Sequence, residues 1–108
     1  MSGDFTIGGN LFEVLEEESS CATIKMTMPP AQPNYLQQAH RHPSVETLVV
    51  ICGQAEVTHG YEQLTTVVLH PGEEVPFGSN EWHATSNASP EEALVARLKE
   101  VVVVPASR

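Results

Sequence analysis

The stretch His40-Arg41-His42-Pro43-Ser44-Val45-Glu46-Thr47-Leu48-Val49-Val50-Ile51-Cys52-Gly53 decides how this chain is read. Its second half, Val45–Cys52, is rich in β-branched residues and stops at the turn signal Cys52-Gly53-Gln54, so it reads as a strand. His40 and His42 lie two apart. On an extended backbone both imidazoles then leave from one face, about 7 Å apart at their backbones, and can converge on one cation. Glu46 keeps that even parity and leads into Leu48, Val50 and Cys52. A carboxylate heading an apolar strand costs several kcal/mol to bury unpaired, and a metal ion removes that objection. Arg41 has odd parity and is expected to point away.

Outward from this stretch the dominant period remains two. In Cys21–Met28 the apolar Ala22, Ile24, Met26 and Met28 alternate with Thr23, Lys25 and Thr27, the pattern of a half-buried strand. Residues 61–69 and 92–104 read as further strands, the latter ending in the valine run 101–104. Residues 11–18 fit either period, and the preceding Gly8-Gly9-Asn10 favours a hairpin, so they too are read as strand. Other turn signals fall at Pro29-Pro30, His59-Gly60, His70-Pro71-Gly72 and residues 87–90. Short strands so punctuated predict an all-β sandwich or barrel. The acidic Glu16, Glu17 and Glu18 read as a solvated strand end, since adjacent side chains on a strand face opposite ways.

The chain has 108 residues, which predicts one domain spanning 1–108. At that size about 65% of the extended surface can be buried, enough for a core without disulfides. Fourteen acidic residues against five Lys plus Arg give a net charge of −9. That argues against nucleic acid and anionic membrane surfaces as partners. Two cysteines without CxxC spacing, and the lack of a basic start followed by an apolar run, predict a cytoplasmic protein. Five histidines in a chain whose only lysines are Lys25 and Lys99 call for an explanation.

Trp82-His83-Ala84-Thr85-Ser86-Asn87 supplies a third imidazole, with His83, Thr85 and Asn87 on one face. Three histidines and a carboxylate suit one divalent transition metal: Fe, Mn, Ni, Co, Cu or Zn. On an octahedral ion they leave positions open for water or substrate.

At these residues the sequence resembles the cupin superfamily, in its small single-domain form. The family's first motif, G(x5)HxH(x3–4)E(x6)G, is matched at His40, His42, Glu46 and Gly53. Given this composition, such a match arises by accident roughly twice in a thousand sequences. The second motif, G(x5)PxG(x2)H(x3)N, is matched at Gly72, His83 and Asn87. The two motifs occupy about 34–53 and 72–87. Asn34 stands at the leading Gly of the first motif and Asn80 at the second Gly of the second. Asn is the non-glycine residue that best tolerates a left-handed backbone. Gly78 holds the proline position, with Pro76-Phe77-Gly78 two residues early, which predicts a reshaped turn before His83.

The resemblance implies a double-stranded β-helix barrel, cupin or jelly-roll-like, with His40, His42, Glu46 and His83 coordinating metal inside it. It suggests a non-haem metal enzyme acting on a small polar organic molecule, with dioxygenase chemistry first. A lyase, decarboxylase or sugar isomerase is the nearest rival, with Glu46 as the available base. A ligand-binding metallo-cupin without catalysis stands as the other alternative. Asn87 is read as structural. His59 and His70 are read as turn residues, and Cys52 as a small buried thiol that could line the cavity. Tyr61, Phe77 and Trp82 belong to core or rim. Arg97 suits either a bidentate hold on an anionic head or a surface position. The valine run and the N-terminal strand predict exposed edges, covered in a homodimer.

Overall fold

In a computed structural model the described residues are 4–7, 9–30 and 41–101, and they form nine strands. These are β1 (Phe5–Ile7), β2 (Asn10–Glu17), β3 (Cys21–Met28), β4 (Val45–Cys52), β5 (Ala55–Gly60), β6 (Leu64–Leu69), β7 (Glu74–Phe77), β8 (Trp82–Asn87) and β9 (Leu94–Val101). A six-stranded sheet runs β1-β2-β3-β9-β4-β7 and a three-stranded sheet runs β6-β5-β8, with every strand pairing among the described residues antiparallel. This is a double-stranded β-helix, all-β as the alternation predicts and of the kind the resemblance implies.

The core follows from period two. In β4 the even residues Glu46, Leu48 and Val50 are buried, while Val45 is exposed and Thr47 and Val49 are half-buried. In β9 Leu94 and Ala96 are buried and Leu98 half-buried on the same inward face. Met26 and Met28 from β3, Phe12 from β2, Ala55 and Val57 from β5, Leu69 from β6 and Val75 and Phe77 from β7 complete one cluster. Fully burying side chains of this size contributes roughly 1.5–3 kcal/mol each.

Two predicted strands, Cys21–Met28 and Val45–Cys52, have the observed bounds. Residues 11–18 form a strand displaced by one, paired in a hairpin with β1. The strand expected over 61–69 begins only at Leu64, because Tyr61, Glu62 and Gln63 form the turn out of β5. The last strand is described over Leu94–Val101, and 102–104 lie outside the described residues. β5 and β7 are short and lie between turn signals, which hid them.

Three expectations need correction. Cys52 is exposed, because the β4–β9 register shifts between Val50 and Cys52 and breaks the parity that linked Cys52 to Glu46. His59 is not a turn residue: it lies within β5, opposite Thr65 on one side and His83 on the other. β9 is no edge, since Val101 pairs with both Cys21 and Val45; among the described residues β1 and β7 are the edges of that sheet.

Gly53 ends β4 at φ +87°, and a Cβ there would lie 2.6 Å from the Ala93 carbonyl oxygen. Both facts require glycine at this position of the first motif.

Candidate metal centre

Three side chains from three segments meet between the sheets. Glu46 comes from β4 and His83 from β8, whereas His42 belongs to the irregular segment before β4. Same-face parity on one strand therefore does not bring His42 to Glu46, contrary to the sequence reading. The turn between β7 and β8 does. The Asn80 N–H donates to the His42 carbonyl at 2.7 Å, and the Ser79 hydroxyl donates to the Pro43 carbonyl at 2.7 Å. Arg41 stacks its guanidinium 4.7 Å from the Trp82 ring centre, directed away as expected. His40 lies outside the described residues.

Asn80 occupies the glycine position of the second motif with φ +60°, so the left-handed conformation is kept without glycine. At the motif's proline position, Gly78 donates its N–H to Glu81 Oε1 at 2.7 Å, which a proline could not do. Glu81 also accepts from His59 Nδ1 at 2.7 Å through Oε2. Burial alone would raise the Glu81 carboxyl, but the Gly78 N–H and His59 outweigh it and hold it below the ordinary range.

The Glu46 carboxylate lies 3.2 Å from His42 Nε2 and 3.9 Å from His83 Nε2, both through Oε1. One donor atom from each residue falls within 4.8 Å of the others. Two ligands about 2.1 Å from a common ion stand roughly 3.0–3.4 Å apart, so small side-chain adjustments close this set on a cation. The rings are fixed from behind. His83 Nδ1 donates to the Glu81 carbonyl at 3.0 Å, which leaves Nε2 as the nitrogen directed at Glu46. His42 Nδ1 lies 2.7 Å from the buried Ser44 hydroxyl. Phe77 stacks on His83 at 4.4 Å between ring centres, and His42 meets His83 edge-on at 4.9 Å.

Burial pushes the Glu46 carboxyl up; His42 pulls it back, Glu100 adds to the rise, and it settles at about 7. A divalent cation would reverse that, since its charge favours the carboxylate. The donor set thus suits a borderline divalent metal.

Glu100 is the residue the sequence reading missed. It is the Cα partner of Glu46 across β4 and β9, and its Oε2 lies 3.8 Å from His42 Nε2. Its signal was present, because Leu94, Ala96, Leu98 and Glu100 share one parity in β9. Arg97 has the opposite parity, is exposed, and does not line the cavity, so it is a surface residue. Asn87 is structural: its amide donates to the carbonyls of Met28, Pro29 and Glu92, and its Oδ1 accepts from the Ser89 N–H. His70 caps a turn, bonded to Glu73 at 3.1 Å.

The three donors open onto a cavity of about 200 Å³, walled by Phe5, Phe12, Ile24, Met26 and Leu98, with Thr85 beside them. A double-stranded β-helix with histidines and a carboxylate converging on its interior defines a metal-capable barrel. The chain belongs to the cupin domain family, which it matches over residues 25–104.

Solved structures agree on the fold. The cupin domain of Schizosaccharomyces pombe Cnp3 is similar at 18% identity and TM-score 0.75, covering 87% of this chain and 61% of that one. FeII HppE is similar at 15% identity and TM-score 0.74, covering 85% and 50%. A putative mannose-6-phosphate isomerase from Ralstonia eutropha is similar at 16% and 0.71, covering 87% and 85%. The chain thus spans about half to three fifths of the first two. No curated protein sequence matches it.

Proposed function

We propose that this cupin is a non-haem metal enzyme, dioxygenase-type first, acting on a small organic molecule that reaches the metal through a polar group. The observation that carries this reading is the convergence of His42, Glu46 and His83 within 4.8 Å on a cavity whose walls are mainly apolar. The motif spacing makes His40 the candidate fourth ligand. A bound metal would supply Lewis acidity, or redox chemistry if it is iron. The chain's own residues hold the ligands in place: Glu81 fixes His83, Ser44 and Asn80 fix His42, and the apolar wall limits water around the reacting group. Similarity to FeII HppE supports iron as the first metal to try.

A lyase or isomerase is the second reading, favoured by Glu100, which places a second carboxylate near His42. A base then need not leave the metal. Cys21 and Cys52 are both free, which supports a reducing compartment such as the cytoplasm. No helix among the described residues is long and apolar enough to cross a membrane. Among the described residues strand β1 is a sheet edge with one neighbour, which supports pairing with a second copy in a homodimer.

Metal analysis of untagged protein tests the centre: about one equivalent is expected, lost in His42→Ala with His83→Ala. A protein with no affinity for Fe, Mn, Ni or Zn overturns it. Oxygen uptake by the Fe(II)-loaded chain with a substrate panel then separates dioxygenase from non-redox chemistry.

A further inference from the structure

The cavity's lining restricts what can sit beside the metal. Its walls are two phenylalanines, an isoleucine, a methionine and a leucine, and Thr85, itself buried, adds one hydroxyl. Beside the imidazoles of His42 and His83, the ionisable groups that line it are two carboxylates, Glu46 and Glu100, and no Lys or Arg lines it among the described residues. Arg97, the cation best placed by sequence to meet an anion, faces outward on β9. Glu100 is held in place by the sheet, as the neighbour of Ala22 on one side and Glu46 on the other.

We infer that the site selects a compact, apolar-bodied molecule with an uncharged oxygen or nitrogen donor, and that Glu100 excludes anionic head groups. This rests on the metal-centre reading of the same site. Two carboxylates offset the double charge of a divalent ion, so the loaded site holds little net attraction for an anion. Within a few ångströms a like charge on an incoming carboxylate is repelled, although the half-buried Glu100 side chain lets water screen part of that repulsion. The apolar wall acts on the other end of the molecule. Cavities of roughly 150 Å³ with aliphatic and aromatic linings accept benzene. At about 200 Å³ this one has room for a ring or branched alkyl group carrying a single small head. A molecule polar throughout would lose its hydration against these walls without compensating hydrogen bonds.

Three probes separate the two features: benzyl alcohol, benzoate and glycerol, with affinities read by ligand-observed NMR on the Zn(II)-loaded full chain and on the metal-free chain. Benzyl alcohol is expected to bind at least tenfold tighter than benzoate and than glycerol. Glu100→Gln should raise benzoate affinity at least tenfold while changing benzyl alcohol less than threefold, and Glu100→Asp, which keeps the charge, should leave benzoate excluded. Benzoate equal to or tighter than benzyl alcohol in the native chain overturns the inference, as does glycerol matching benzyl alcohol. A Glu100→Gln variant that still excludes benzoate overturns the role of Glu100. Failure of Zn(II) to bind would overturn the metal reading alone, because the metal-free series still ranks the three probes.

Discussion

His83 donates its Nδ1 proton to the carbonyl oxygen of Glu81, 3.0 Å away, and this bond sets which ring nitrogen faces Glu46. The same Glu81 accepts from His59 and from Gly78 through its side chain. One residue thus fixes a candidate ligand through its main chain while its side chain anchors the turn that also grips His42.

Glu81→Gln keeps the backbone carbonyl but removes the charge from two bonds. Loss of charge-assisted hydrogen bonds at a partly buried site is expected to cost roughly 1–2 kcal/mol. Metal affinity should fall about tenfold, the lower end for residues supporting a ligand. Chemical unfolding and competitive Zn(II) titration check the two effects. An affinity loss without a stability loss would show that the turn does not depend on this side chain.

Metal-free protein should lose stability as pH rises. The folded chain holds the Glu46 proton to about pH 7, against 4.5 as the ordinary value, chiefly because of burial. Between those values folding takes up a proton. The stabilisation is therefore complete below pH 4.5 and lost as pH passes 7, on the order of 3 kcal/mol. Glu46→Gln should flatten that part of the profile, which isolates it from the general repulsion of an acidic chain. Saturating Zn(II) should reverse the slope, because the ion then competes with the proton for the same oxygens. Urea denaturation at pH 5, 6, 7 and 8 reads all three profiles.

The strands Cys21–Met28 and Val45–Cys52 were legible because residue type alternates along them, and burial follows that alternation from Val45 to Val50 and at Met26 and Met28. β5 and β7 were not, since four to six residues between turn signals carry too little alternation to be noticed. At the site, spacing led to His42, Glu46 and His83, yet the reason given for His42 was wrong. Its position comes from a turn some forty residues later, and no local pattern encodes that contact. Cys52 was misplaced by a bulge, which inserts one residue and inverts parity without any signature in composition. Glu100 could have been found, because parity in β9 puts it inward after Leu98.

Asn80 offers a direct measure of backbone strain. At φ +60° a residue with a Cβ is disfavoured, and Asn is tolerated better than most. Asn80→Ala should therefore cost about 1 kcal/mol, a fall of roughly 4–8 °C in melting temperature for a chain of this size. Asn80→Gly should be neutral or stabilising, since the N–H bonded to the His42 carbonyl is retained. A calorimetric scan of both variants decides it; equal melting temperatures would mean the turn relaxes out of the left-handed region.

Gly78→Pro restores the residue that the family's second motif has at this position, and it should nevertheless damage this chain. Proline has no N–H to donate to Glu81 Oε1, and its ring would meet the Tyr61 hydroxyl, which already crowds the space where a Cβ would be. That hydroxyl is itself held in place by donating to the Ser79 carbonyl at 3.1 Å. Losing a charge-assisted bond and pushing aside the exposed Tyr61 side chain together are expected to cost roughly 1.5–3 kcal/mol. Metal affinity should fall as well, because Glu81 would lose one of the two contacts that hold it behind His83. Pairing the change with Tyr61→Ala removes the clash but not the missing donor, so stability should return in part while metal affinity stays low. Full recovery of both in the double variant would show that crowding, rather than the Gly78–Glu81 bond, is what keeps proline out of this turn.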